Sequence, residues 1–163
     1  MAMRQDARAF TLVEAMISLA VMLILLMAAI PMTISWSNSA KQRDAAGLLQ
    51  QGLSRAKALA LRNPGAVGAG EPSAALCLSG GTISVLRLAR DASFSCTPGT
   101  DEDLQWSAAI PSAASITIGG EDFQCLALDN RGLPVTVSGC VETSTGTFNV
   151  VVGSEDSLDV TLI

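Results

Sequence analysis

The 163-residue chain contains no histidine and no tyrosine. Without histidine there is no Ser-His-Asp triad, no Cys-His pair and no imidazole metal ligand. No GxSxG segment occurs, so nothing signals the sharp strand-to-helix turn that presents a nucleophilic serine. No CxxC occurs either, and the cysteines are widely spaced, which argues against a structural zinc. Acidic clusters stand at Asp101-Glu102-Asp103, Glu121-Asp122 and Glu155-Asp156. They offer the hard oxygen ligands calcium prefers, but they lack EF-hand spacing and read as solvated loops. The expectation is a non-enzyme with no cofactor and no metal. There is no internal repeat. Charge of either sign is also missing from Ala15 to Met32.

What is present divides by charge. Residues 1–9 carry Arg4 and Arg8 against Asp6, a net of +1, and residues 10–63 have a net of +3. Residues 64–163 carry Arg87, Arg90 and Arg131 against twelve acids, a net of −9. An acidic C-terminal part repels phosphate, so nucleic acid is not an expected partner.

Phe10 to Ile30 is twenty-one residues, with only Thr11, Glu14 and Ser18 polar. As a helix it reaches about 31 Å, enough to cross a hydrocarbon core of about 30 Å. The basic flank in front of it should stay on the cytoplasmic side, leaving the remainder outside. A carboxylate at a bilayer centre costs about 2.5–3.5 kcal/mol, less near the interface. Glu14 is therefore expected to have a partner. It also sits in the first helical turn, where the helix dipole favours an anion. An ordinary secretory signal has the same basic start and apolar core and is cut after small residues. Ala28-Ala29 would serve, but Glu14 would then interrupt the core to no purpose.

The four cysteines, Cys77, Cys96, Cys125 and Cys140, all lie beyond the apolar segment. Export to an oxidising compartment makes disulfides the expected state. Three connectivities are possible. Cys77–Cys96 with Cys125–Cys140 is favoured, because each bond closes a short loop within one predicted hairpin or its neighbour. Loops of this size stabilise by roughly 3 kcal/mol each in the chain-entropy picture.

Pro31 removes a backbone donor and crowds the Met27 carbonyl, so a kink or loosening is expected there. Thr33 to Ser39 are weak helix formers, and Trp36 suits a membrane interface or packing against the C-terminal part. From Lys41 to Arg62 the pattern is amphipathic: Ala45, Leu49, Gly52, Leu53, Ala56, Leu59 and Ala60 share one helical face. Small residues on that face allow a sheet to approach closely. Asn63-Pro64-Gly65 is a stop. Beyond a loop at Gly65–Ser73, short strands are predicted at 74–78, 82–88, 104–108, 115–118, 123–128, 134–141, 147–152 and 158–163. Ser79-Gly80-Gly81, Gly119-Gly120, Asp129-Asn130-Arg131-Gly132 and Ser144-Thr145-Gly146 are the turns. Asp91–Asp103 is a longer loop. The predicted fold is α+β: a long N-terminal α-helix, one half transmembrane and one half amphipathic, packed on an antiparallel β-sheet head.

Ala9-Phe10-Thr11-Leu12-Val13-Glu14, the uncharged run, and Pro31 placed twenty-one residues after Phe10 together resemble the class III signal of type IV pilins and type II secretion pseudopilins. The resemblance implies that a prepilin peptidase cuts between Ala9 and Phe10 and methylates Phe10. The helix then stays attached as an anchor. The family usually carries Gly before the cut; here the residue is Ala9, the nearest in size. The resemblance also implies that Glu14 meets the N-terminal amine of a neighbouring subunit. An amine and a carboxylate in low dielectric offset each other's desolvation.

Leu48 to Asn63, a helix of leucines and small residues closing on Arg62-Asn63, is similar to the helix end of H-type pseudopilins (GspH) and FimT/FimU-type minor pilins. Leu126 to Gly132 and the last strands resemble the same group. The implied organisation is a leader at 1–9, a transmembrane and assembly helix at 10–32, an amphipathic helix at 33–63 and a β-rich periplasmic head at 64–163. The implied function is that of a minor (pseudo)pilin, anchored in the bacterial inner membrane by a single pass. It would be built with other pilins into a type II secretion pseudopilus or a type IV pilus. The alternative is a pilus-borne receptor, adhesion or DNA-uptake module. Some FimT-type relatives bind DNA through a basic C-terminal segment, whereas Gly153 to Asp159 here is acidic.

Overall fold

The computed structural model describes residues 11–90, 94–97, 103–138, 140 and 146–161. The chain divides into two units, Met1–Ser37 and Asn38–Ile163. Helix α1, Leu12–Arg62, begins in the first and ends in the second. It continues through Pro31 and through the weak formers Thr33–Ser39. One missing backbone donor is a local loss in a helix of 51 residues, and the Thr33 hydroxyl adds a bond to the Ala29 carbonyl nearby, at 3.0 Å.

The helix stops where the sequence says it should. Asn63 adopts a left-handed φ of 46°, and its amide bonds the Leu59 and Ala60 carbonyls at 3.2 and 3.0 Å. That satisfies carbonyls left open at a helix C-terminus, and Asn tolerates this conformation better than branched residues do. The Asn63 side chain then clasps Val67, donating to its carbonyl and accepting from its amide. Gly65 follows at a close approach: a Cβ there would fall 2.2 Å from the Leu88 carbonyl oxygen.

Among the described residues nine strands follow: β1 Pro72–Ser79, β2 Thr82–Arg87, β3 Leu104–Ala109, β4 Ala114–Ile118, β5 Glu121–Asp122, β6 Cys125–Asp129, β7 Pro134–Val135, β8 Thr147–Val152 and β9 Leu158–Thr161. Every pairing is antiparallel. The hairpin turn at Gly80-Gly81 has both residues at positive φ, 56° and 73°, as the two-residue turn that suits strand twist demands.

Two expectations need correction. The single sheet resolves into two, ordered β3-β2-β1-β6-β7 and β5-β4-β8-β9. The break falls after β3 at Pro111, which has no N–H for a ladder and whose carbonyl instead accepts a turn bond from Ala114. The expected strand at 134–141 contracts to Pro134–Val135, because Cys140 is drawn off to bond Cys125. Residues 139 and 141 lie outside the described set. A smaller difference is at 123–128: Phe123 and Gln124 fall between β5 and β6.

One apolar cluster joins the outer part of α1 to both sheets. Ala45, Leu49, Leu53, Ala56 and Ala60 meet Leu76, Ile83, Val85, Leu126 and Leu128 of the first sheet, and Ile116, Ile118, Phe148 and Val150 of the second. Phe123 and Phe148 meet edge to face, 5.1 Å between ring centres. The small residues set the distance: a Cβ on Gly52 would sit 2.9 Å from Leu76 Cδ1 and 3.2 Å from Ile83 and Trp106. Arg55, beside this seam, lies 5.3 Å from the Trp106 ring, a cation–π contact. The other face of the first sheet holds a second cluster of Ala75, Cys77, Leu86, Leu88 and Cys125. Being covered on both sides, β6 is buried along its whole length. The disulfides are Cys77–Cys96 and Cys125–Cys140, the pairing favoured from loop size.

Candidate assembly site

Within the N-terminal unit the described residues form a bare helix. Every residue from Thr11 to Ser37 is exposed, among them Leu12, Val13, Met16, Ile17, Leu19, Leu23, Ile24, Leu25 and Met27. Trp36 is 79 % exposed. The segment is long and apolar enough to cross a membrane. Two of its hydroxyls are satisfied inside the helix. Ser18 donates to the Glu14 carbonyl at 2.8 Å and Thr33 to the Ala29 carbonyl at 3.0 Å. In lipid, where no water is available to a stray hydroxyl, this is the arrangement that avoids a penalty of several kcal/mol per group.

Glu14 lies three residues after Thr11, and its amide donates to Thr11 Oγ1 at 3.2 Å. Thr11 is therefore the N-cap and Glu14 the third helical residue, the positions of a capping box. The Thr-x-x-Glu spacing before an apolar run is legible in the sequence, yet the reading of Glu14 as a charge in need of a partner passed over it. Capping and pairing are compatible. The bond to Thr11 Oγ1 engages the Glu14 amide and not its carboxylate. Among the described residues, none forms an ion pair with that carboxylate. Ala9 and Phe10, the expected cleavage and methylation positions, lie outside the described residues.

The C-terminal unit grips the beginning of its own stretch of α1 through polar groups. Gln42 is buried, and its amide nitrogen donates to the carbonyls of Val150 at 2.8 Å and Asp156 at 2.6 Å. Ser39 donates to the Glu155 carboxylate at 2.9 Å. These contacts hold the helix where it enters the head, and sequence reasoning missed them because a Gln at position 42 reads as surface. Farther along, Asp129 is fully buried. Its carboxylate accepts from the amides of Arg131 and Leu133 and from the Arg131 guanidinium, at 2.9 to 3.0 Å. Burial alone would push this carboxyl up. The bonds from Leu133 and Arg131, with the Arg131 charge, outweigh that and hold it below its ordinary value.

The expected acidic clusters have other uses. Glu155 takes the Ser39 bond, and Asp103 takes one from the Arg87 guanidinium at 3.4 Å. Among the described residues, no group of three or more potential ligands is arranged to hold a metal ion. Asp101 and Glu102 lie outside them.

Residues 4–30 match the family model of the prokaryotic N-terminal methylation motif. No curated protein and no solved structure matches the chain. The match covers the basic flank, the Phe10–Glu14 segment and nearly all of the apolar run. Over those residues the chain is similar to the N-terminal segment of type IV pilin-like proteins.

Proposed function

We propose that this chain is a minor pilin or pseudopilin, a structural subunit with no catalytic role. Residues 1–9 are a leader cut by prepilin peptidase between Ala9 and Phe10, and Phe10 becomes the methylated N-terminus. Residues 10–32 anchor the subunit in the inner membrane and then assemble with the corresponding helices of other pilins. Residues 33–63 complete the helix, and residues 64–163 form a periplasmic head. Glu14 pairs with the terminal amine of a neighbouring subunit. The filament is a type II secretion pseudopilus of the H-type kind or a type IV pilus of the FimT/FimU kind. The genes beside this one distinguish the two.

The observation that carries this reading is the uncovered apolar helix with one acid in its first turn, lying within the matched methylation motif. A helix made only to anchor would gain by a neutral residue at position 14. Removing one member of a buried ion pair costs about 3–5 kcal/mol. Glu14→Gln should therefore lower incorporation into the filament by about 100-fold or more, while membrane insertion persists. Undiminished incorporation of that variant would remove the assembly role. Mass spectrometry of the processed protein tests the leader independently: a methylated Phe10 terminus is expected, and a terminus near Ile30 would point to an ordinary secretory signal.

A further inference from the structure

The two disulfides lie side by side. Cys77 of β1 stands directly opposite Cys125 of β6 in the antiparallel register. The Leu78 amide bonds the Gln124 carbonyl at 2.8 Å, which makes Cys77 and Cys125 a non-hydrogen-bonded pair. At such positions facing Cα atoms are about 4.5 Å apart and side chains come closest. A disulfide spans Cα separations of about 4.4–6.8 Å. A Cys77–Cys125 bond is therefore within reach without moving either strand. Both inner cysteines belong to one cluster on the same sheet face. Each is bonded instead to an outer cysteine in a loop, Cys96 after β2 and Cys140 after β7.

There is also a way in. A cavity of about 530 Å³ is lined by Leu78, Phe94, Cys96, Gln124, Cys125 and Ser138. It thus touches one cysteine of each disulfide. Cys77 and Cys125 are buried, whereas Cys96 and Cys140 are only half-buried. On the Cys77–Cys96 bond an entering thiol meets the outer cysteine, Cys96; on the other bond it is the inner Cys125 that lines the cavity.

We propose that the four cysteines act as one thiol–disulfide exchange site, which accepts a dithiol reductant through this cavity and rearranges to a Cys77–Cys125 bond. A thiolate of the reductant attacks Cys96 Sγ, the Cys77–Cys96 bond breaks, and Cys77 leaves as a thiolate. Cys77 attacks Cys125 Sγ, the new bond forms, and Cys140 leaves and takes up a proton. The second thiol of the reductant then resolves the mixed disulfide at Cys96, releasing a Cys96 thiol and an oxidised reductant. Two electrons pass from the dithiol to the protein, which ends with one disulfide and two thiols. The two central strands stay stapled to each other while both loops that flank the cavity lose their ties. This chemistry stands whether or not the chain enters a filament.

The test is limiting dithiothreitol on the full chain in detergent, acid quench, alkylation and peptide mass spectrometry. The two-thiol species should carry label on Cys96 and Cys140 and yield a Cys77–Cys125-linked peptide, at least about tenfold over any other pairing. Label on Cys77 with Cys96, or on Cys125 with Cys140, would show two independent bonds and overturn the proposal. So would passage from no thiols to four with no two-thiol species. Cys96→Ser sharpens the result: its single thiol should appear at Cys140, by attack of Cys77 on the neighbouring bond. A thiol remaining at Cys77 would overturn the exchange step directly.

Discussion

The two halves of α1 are built on opposite terms. From Thr11 to Ser37 every residue is exposed, and the hydroxyls of Ser18 and Thr33 turn back on the helix's own carbonyls. From Asn38 to Arg62 eight residues are buried, and polar groups reach out to other elements, Ser39 to Glu155 and Gln42 to Val150 and Asp156. Apolar area left in water forgoes about 25 cal/mol per Å². The first half is left bare by the described residues of its own unit, while the second is covered by its own sheets. The lesson is that continuity of a helix says little about its surroundings. The same backbone serves two environments, and the side chains decide which.

That contrast can be broken by substitutions whose costs should fall only on one side. The largest effect is expected at Phe148, fully buried between α1 and Phe123. Phe148→Ala should cost about 3–5 kcal/mol by lost transfer energy and a residual cavity. Leu25→Ala, at an exposed helix position, should leave the same unfolding transition within about 0.5 kcal/mol. Denaturant unfolding of the full chain in detergent reads both. Equal losses would mean that the first half packs as the second does. Next comes Gln42→Leu, which keeps the volume but strands two carbonyls, at about 1–3 kcal/mol. Amide exchange should rise at the start of the head's helix and around Asp156, with little change near Asn63. Asn63→Ala should cost about 1–2 kcal/mol, since Ala adopts a left-handed φ poorly and cannot clasp Val67. Its effect should appear as fraying of the last helical turn.

The sequence carried the repeating features well and the isolated ones poorly. The small and leucine positions from Ala45 to Ala60 announced the buried face, because burial on a helix repeats. Thr147–Val152 announced itself by alternation, and its burial alternates accordingly. The disulfide pairing followed from loop size. The helix end at Arg62 followed from Asn63-Pro64-Gly65, although the clasp that makes Asn63 a cap depends on Val67. Gln42 and Ala46 stayed hidden, since one is polar and the other small, and Gln42 is held by Val150 and Asp156, more than a hundred residues away. The division into two sheets was equally hidden, because strand pairing is decided by partners distant in sequence. In the assembly segment the apolar run, Glu14 and Pro31 were legible at once. The Thr11 cap was legible too but was overshadowed by the charge.

The smallest expected effect sits in the turn after β6, where a buried acid contrasts with Glu14, an exposed one. Asp129 has what Glu14 lacks among the described residues: a guanidinium and two amides held against it. Its carboxyl is held below the ordinary value. A group lowered in the folded state adds stability above its unfolded pKa of about 3.9, and that contribution is lost as pH falls through the folded value. The head should accordingly weaken below about pH 4. Asp129→Asn separates charge from hydrogen bonding. Its amide oxygen can still accept from the backbone amides of Arg131 and Leu133, while its NH2 replaces the oxygen that took the guanidinium; Arg131 is 60 % exposed, so its freed donors reach water and water screens much of the lost attraction. At neutral pH the variant should lose about 1 kcal/mol. Below pH 4 its midpoint should fall less steeply than that of the parent chain. If the two acid limbs run parallel, the pH dependence comes from other carboxylates, and the turn is held by its backbone bonds alone.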